Sequence, residues 1–197
     1  MEIKASTFET FWKSNFGEMP PLGHRLRHMF PERWVRFHAL PNSKRYAEND
    51  AERDIILERG NILAEEVLGR TIPCWLLASQ LMDKNNNSPY LSTQRAAISE
   101  WGLQKSFLWV DSLEEAEDQA EHQVFGKSLK WKMGRFDGLL TKIADDGLYN
   151  FLWMSSTTAE IFKPYDGGFD LILKNKGRVK YLTQKYAQWM SVREDGL

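Results

Sequence analysis

The sequence predicts an α+β protein, one domain over residues 1–197 with a mixed, mostly antiparallel sheet covered by helices. Three observations lead there. Helical stretches alternate with short strand-like runs in no regular βαβ rhythm. Ile72 to Met82 is almost continuously apolar, as suits a central strand buried on both faces. Asp166-Gly167-Gly168 separates two apolar runs and is a hairpin turn.

The first helix opens at Ser6, with Glu9 at the capping-box spacing, and sets Phe8, Phe11, Trp12 and Phe16 along one face. Gly17 ends it and Pro20-Pro21 forbids its continuation. A short helical turn, His24 to Met29, precedes Pro31. Residues 34–40 alternate, with Trp34, Arg36 and His38 on one side and Val35, Phe37 and Ala39 on the other. Pro41 closes that strand, and the loop 41–46 carries turn residues.

Asn49 or Asp50 caps a helix that runs to Leu68, with Gly69 just past its end. Its apolar stripe is Ile55, Ile56, Ile62, Leu63 and Val67. Gly60 inside it implies a close packing contact, since glycine there costs roughly 1 kcal/mol against alanine. After the 72–82 strand, Asp83 to Pro89 reads as a loop, residues 92–101 as a helix and Phe107 to Val110 as a strand. Glu114 to Glu121 is an acidic turn or short helix, and Val124 to Lys132 a weakly alternating strand. Phe136 to Ala144 is a helix and Leu148 to Met154 a strand. The hairpin joins Ala159–Tyr165 to Phe169–Leu173. Asn175 caps a last helix, Gly177 to Met190, with Val179, Leu182, Tyr186 and Trp189 inward.

Composition narrows the class. Hydrophobic residues at 42% and charged residues at 27% are ordinary for a globular chain. The net charge of −1 gives no reason to expect nucleic acid or an anionic membrane as partner. The longest apolar run is far short of a membrane span. A lone cysteine, Cys74, forbids an internal disulfide, and the N-terminal residues lack a signal-peptide pattern, so the expected location is cytoplasmic.

Known catalytic and phosphate-binding motifs are missing: no nucleophile elbow, dinucleotide fingerprint, P-loop or His-Glu-x-x-His. His24 and His28 have a metal-like spacing, but Arg25 and Arg27 lie between and beside them and no third ligand follows, so no metal is expected. Cys74, between Pro73 and Trp75, reads as a core residue. No cofactor is expected.

Charge is concentrated in blocks. Residues 24–45 carry six Lys/Arg against one acid, and residues 48–66 carry seven acids against two Arg. Residues 174–185 carry five bases and no acid. Residues 111–121 carry six acids (Asp111, Glu114, Glu115, Glu117, Asp118 and Glu121) and no base, which makes them the candidate surface for a basic partner.

The string Trp34-Val-Arg-Phe-His-Ala-Leu-Pro-Asn-Ser-Lys-Arg-Tyr46, with Ile56-Leu-Glu-Arg-Gly-Asn61 after it, resembles a group of bacterial proteins of unknown function. So do Ile161-Phe-Lys-Pro-Tyr-Asp-Gly-Gly-Phe-Asp-Leu171 and Lys185-Tyr-Ala-Gln-Trp-Met-Ser191. The group is similar to immunity-type proteins encoded beside polymorphic or contact-dependent toxins. The resemblance implies a non-enzymatic binding protein that neutralises a toxin domain by occlusion, and it carries no catalytic residues. The polar residues within these strings are Arg36, His38, Ser43, Lys44, Arg45, Tyr46, Tyr165, Asp166 and Asp170. They make either the pocket of a small anionic-ligand binder or enzyme, or a structural network in which Lys44 or Arg45 ties the loop to Asp166 or Asp170.

Overall fold

A computed structural model describes residues 5–82, 89–110 and 120–191. Helices α1 (Ala5–Phe16) and α2 (Gly23–Met29) lead into strand β1 (Trp34–His38), and helix α3 (Asp50–Leu68) follows it. Then come β2 (Pro73–Leu81), α4 (Pro89–Glu100), β3 (Gln104–Val110) and β4 (Glu121–Lys130). Helix α5 (Asp137–Ala144), β5 (Phe151–Ser155), β6 (Ile161–Tyr165), β7 (Gly168–Ile172) and α6 (Lys176–Lys185) complete the series.

The seven strands form one sheet in the order β1-β7-β6-β5-β2-β4-β3. Every pairing in it is antiparallel, so the parallel component of the expected mixed sheet is not found among the described strands. Period-two alternation divides the side chains between two faces. On β2, Cys74, Leu76 and Ala78 pack on one side with α3, α4, α5 and α6. Trp75 and Leu77 pack on the other, under α1 and α2. Helices therefore cover both faces, and β2 is buried almost along its whole length.

Local signals explain most of the elements. Asn49 accepts a hydrogen bond from the Glu52 N–H at the start of α3, and Gly69 takes φ +73° at its end. The Asn175 side chain accepts from the Arg178 N–H at the start of α6. The hairpin β6–β7 turns through Asp166-Gly167, with Tyr165 opposite Gly168. Trp131, Phe136, Trp153 and Phe162 meet with centroids 5.0–5.9 Å apart in the larger core. Truncating such a ring costs about 3–5 kcal/mol.

Several boundaries differ from expectation. The first helix is already formed at Ala5, so Ser6 does not open it. Strands β3 and β4 begin earlier than predicted because β2 and β3 both pair with β4: β2 partners it as far as His122, and β3 partners it from Gln104 opposite Gly126 to Val110 opposite Glu121. The last helix stops at Lys185, and Ala187–Trp189 forms a 3₁₀ turn. That turn lets Tyr186 and Trp189 stack at 4.6 Å, because side chains three apart eclipse in a 3₁₀ helix.

Two glycines are fixed by close approach. A Cβ on Gly168 would stand 2.2 Å from the Phe37 carbonyl oxygen, and one on Gly60 would stand 3.0 Å from the Phe169 ring. Around Gly138 in α5, by contrast, the space is open. Gly168→Ala must therefore push β1 from β7 and should cost roughly 2–4 kcal/mol in urea unfolding. Gly138→Ala should instead stabilise by up to about 1 kcal/mol.

Candidate functional site

Strand β1 delivers the polar residues of the 34–46 stretch to three separate places. On the α2 side of the sheet, Arg36 lies opposite Asp170, and Asp170 lies opposite Lys163. Arg36 donates from Nε to Oδ1 at 2.8 Å and from Nη2 to Oδ2 at 3.0 Å, while the Trp34 indole N–H reaches Oδ1 at 3.0 Å. The guanidinium also stacks on Tyr165 at 4.5 Å. Burial lowers the Lys163 ammonium's pKa, and burial pushes the Tyr165 hydroxyl up to about 12.

The loop after β1 is tied down twice. Lys44 donates to Glu52 at 2.7 Å and lies 3.0 Å from Glu48, at the start of α3. Arg45 and Tyr46 both donate to Asp166 Oδ2, at 2.6 and 2.9 Å, and so fasten the loop to the β6–β7 hairpin. Arg36, Lys44 and Arg45 are thus each spent on an internal acid.

His38 and Ser43 go elsewhere. They line a cleft of about 240 Å³ bounded by the end of β1, the turn Pro41–Ser43, Arg59 of α3 and Gln188–Met190. Asn42 and Ser43 hold left-handed backbone, φ 56° and 55°. His38 is only 8% exposed, and its Nε2 is buried without a hydrogen-bond partner. Its pKa is lowered, first by burial and then by the Arg36 and Arg59 charges.

Arg59 is the residue that the sequence reading missed. It is 9% exposed, donates from Nη1 to the His38 carbonyl at 2.9 Å and stacks on Trp189 at 5.3 Å. It makes no ion pair among the described residues. The signal was available: Ile56, Arg59 and Leu63 share one helical stripe, so Arg59 occupies a position facing inward.

Of the acidic run, Asp111, Glu114, Glu115, Glu117 and Asp118 lie outside the described residues. Glu121 opens β4 opposite Val110 of the edge strand β3 and is exposed. Cys74 is buried, and burial pushes its thiol up to about 12. Among the described residues no three His, Cys, Asp or Glu side chains gather as a metal site. No helix among them is long and apolar enough to cross a membrane.

With the geometry in place, comparison with known families is informative. The family DUF3885, a domain of unknown function, matches residues 22–194. The chain belongs to the DUF3885 family. No curated protein and no solved structure matches it. The DUF3885 match runs from just before α2 through α6, so it takes in the whole sheet, the Arg36–Asp170 pair and the cleft at Arg59.

Two outcomes follow for this DUF3885 chain. Asp170→Asn leaves the Arg36 charge without its acid in a site 13% and 7% exposed, and should cost about 3 kcal/mol in urea unfolding. His38 has a depressed pKa in the fold, so the unfolded chain binds more protons below its ordinary value of 6.5. Its contribution is therefore intact above that pH and is lost as pH falls below it. Unfolding free energies measured from pH 8 to pH 5 should decline less steeply in His38→Gln than in the parent.

Proposed function

We propose that this protein acts by binding a protein partner and not by catalysis, specifically as a cytoplasmic immunity protein of bacterial origin that occludes a toxin domain. The observation that carries this reading is how the charge blocks are used. The basic 24–45 block meets the acidic 48–66 block through Lys44 and Glu52. The basic 174–185 block meets it through Arg178, Lys185 and Glu66, and reaches back to Glu32 through Lys176. Arg36 and Arg45 are answered by Asp170 and Asp166.

Three of the four blocks are thus drawn on to hold the fold together. The fourth, residues 111–121, falls in the sequence between the edge strand β3 and β4, and residues 111–119 lie outside the described residues. Glu121 makes no ion pair among the described residues, and Leu108 and Val110 beside it are 50% and 38% exposed. Apolar side chains rimmed by like charge suit a protein interface, and six acids suit a basic partner. The resemblance of the chain's strings to a bacterial group that is itself similar to immunity-type proteins supports the finer identification. The competing use of Arg36, Lys44 and Arg45 for an anionic ligand loses its free charges to internal acids.

The test is capture of the toxin domain encoded beside this gene. The parent protein should bind it, and reversing Glu114, Glu115 and Glu117 to Lys should weaken binding at least about tenfold. Full binding by the reversed variant removes the proposed surface. No binding by a correctly folded parent removes the immunity reading.

A further inference from the structure

The cleft at Arg59 lies at the β1 edge of the sheet, across its whole width from β3, and so is independent of the partner surface. Its walls are Leu40, Pro41, Trp189 and Met190, and its polar groups are few: Arg59, His38, Ser43, Asn42 and Gln188. Apolar walls with a small set of directed polar groups are the anatomy of a small-molecule site.

Arg59 sets the charge of the ligand. A guanidinium has five N–H donors, and the His38 carbonyl accepts from one nitrogen. No carboxylate of the described chain makes an ion pair with it; burial lowers its pKa, and the Glu58 charge opposes that only through its field. The other cations of the loop are held elsewhere, Lys44 by Glu48 and Glu52 and Arg45 by Asp166. One positive charge is therefore on offer, which matches a monoanion better than a phosphate dianion. The guanidinium fork fits a carboxylate with two parallel hydrogen bonds.

The turn is built to the same end. Asn42 and Ser43 both sit at positive φ, a conformation that costs free energy for a non-glycine residue and that concentrates at ligand sites. It places both residues in the cleft wall. The volume, about 240 Å³, is below the range of drug-sized pockets.

We propose that this cleft binds a small organic carboxylate, with its anionic head on Arg59 and its apolar body against Leu40, Pro41 and Met190. The test is titration of the ¹⁵N-labelled full chain with acetate, benzoate and phenylacetate, and with the corresponding amides. The Gln188 side-chain amide and the Trp189 indole N–H report binding. At least one carboxylate should shift these signals saturably, with an affinity about tenfold or more above that of its amide. Gln188→Ala should weaken that binding several-fold at an unchanged melting temperature. Arg59→Met should abolish it; if that variant fails to fold, Arg59→Lys, which keeps the charge but loses the fork, should weaken it at least about threefold. Equal binding of amide and carboxylate, unchanged binding in Arg59→Lys, or no saturable shift with any of the three acids overturns the proposal.

Discussion

The bidentate pair between Arg36 and Asp170 fixes the register at the edge of the sheet on which the 34–46 stretch depends. Slipping β1 by one residue against β7 would turn Arg36 into the apolar face under α3 and carry Phe37 out of it. Asp170 receives three hydrogen bonds, two from Arg36 and one from Trp34, so its charge is compensated only in this register. Gly168 makes the same demand sterically, since the β1 backbone passes too near for any side chain. Together they determine where β1 ends, and therefore where Leu40, the Pro41–Ser43 turn and the cleft must lie.

Much of this architecture was written locally. Asn49 and Asn175 cap the helices that their positions announce, Gly69 ends α3, and Asp166-Gly167 makes the hairpin. The apolar run of β2 lies between β5 and β4 and is buried on both faces, as its near-continuous hydrophobicity requires. Elements whose limits depend on a partner were less legible. The start of β4 is set by β2 and the end of α6 by the Tyr186–Trp189 stack, and neither appears in a helical or strand period. The site was legible in part. The polar residues of the 34–46 and 161–171 strings do meet, but pair by pair and as structure: Arg36 with Asp170, Arg45 and Tyr46 with Asp166. Arg59 escaped because a charged residue within an acidic helix reads as solvated surface until its place on the apolar stripe is weighed.

The ion pairs carry different weights according to burial. Arg53–Asp145 and Lys142–Glu100 are exposed and contribute little. Arg36–Asp170 is buried, and its value lies less in net stability than in the penalty it sets on other registers. Glu66, which gathers Arg178, Lys185 and the Tyr186 hydroxyl, does the same for the docking of α6 on α3. A chain with nearly equal numbers of acids and bases can thus use its charge for specificity of fold.

Arg59 does not fit that pattern. It stands on the buried stripe of α3 between Ile56 and Leu63, where leucine or methionine would pack without the cost of desolvating a cation. The His38 carbonyl gives it one acceptor, a bond for which a neutral donor would suffice. Trp189 gives its guanidinium a face to stack on, which orients the fork without neutralising it. The turn opposite holds Asn42 and Ser43 at left-handed φ, 56° and 55°. An oriented, buried cation without an ion pair, facing a polar turn across a cleft, is costly as structure alone, and an anion between them would reduce that cost.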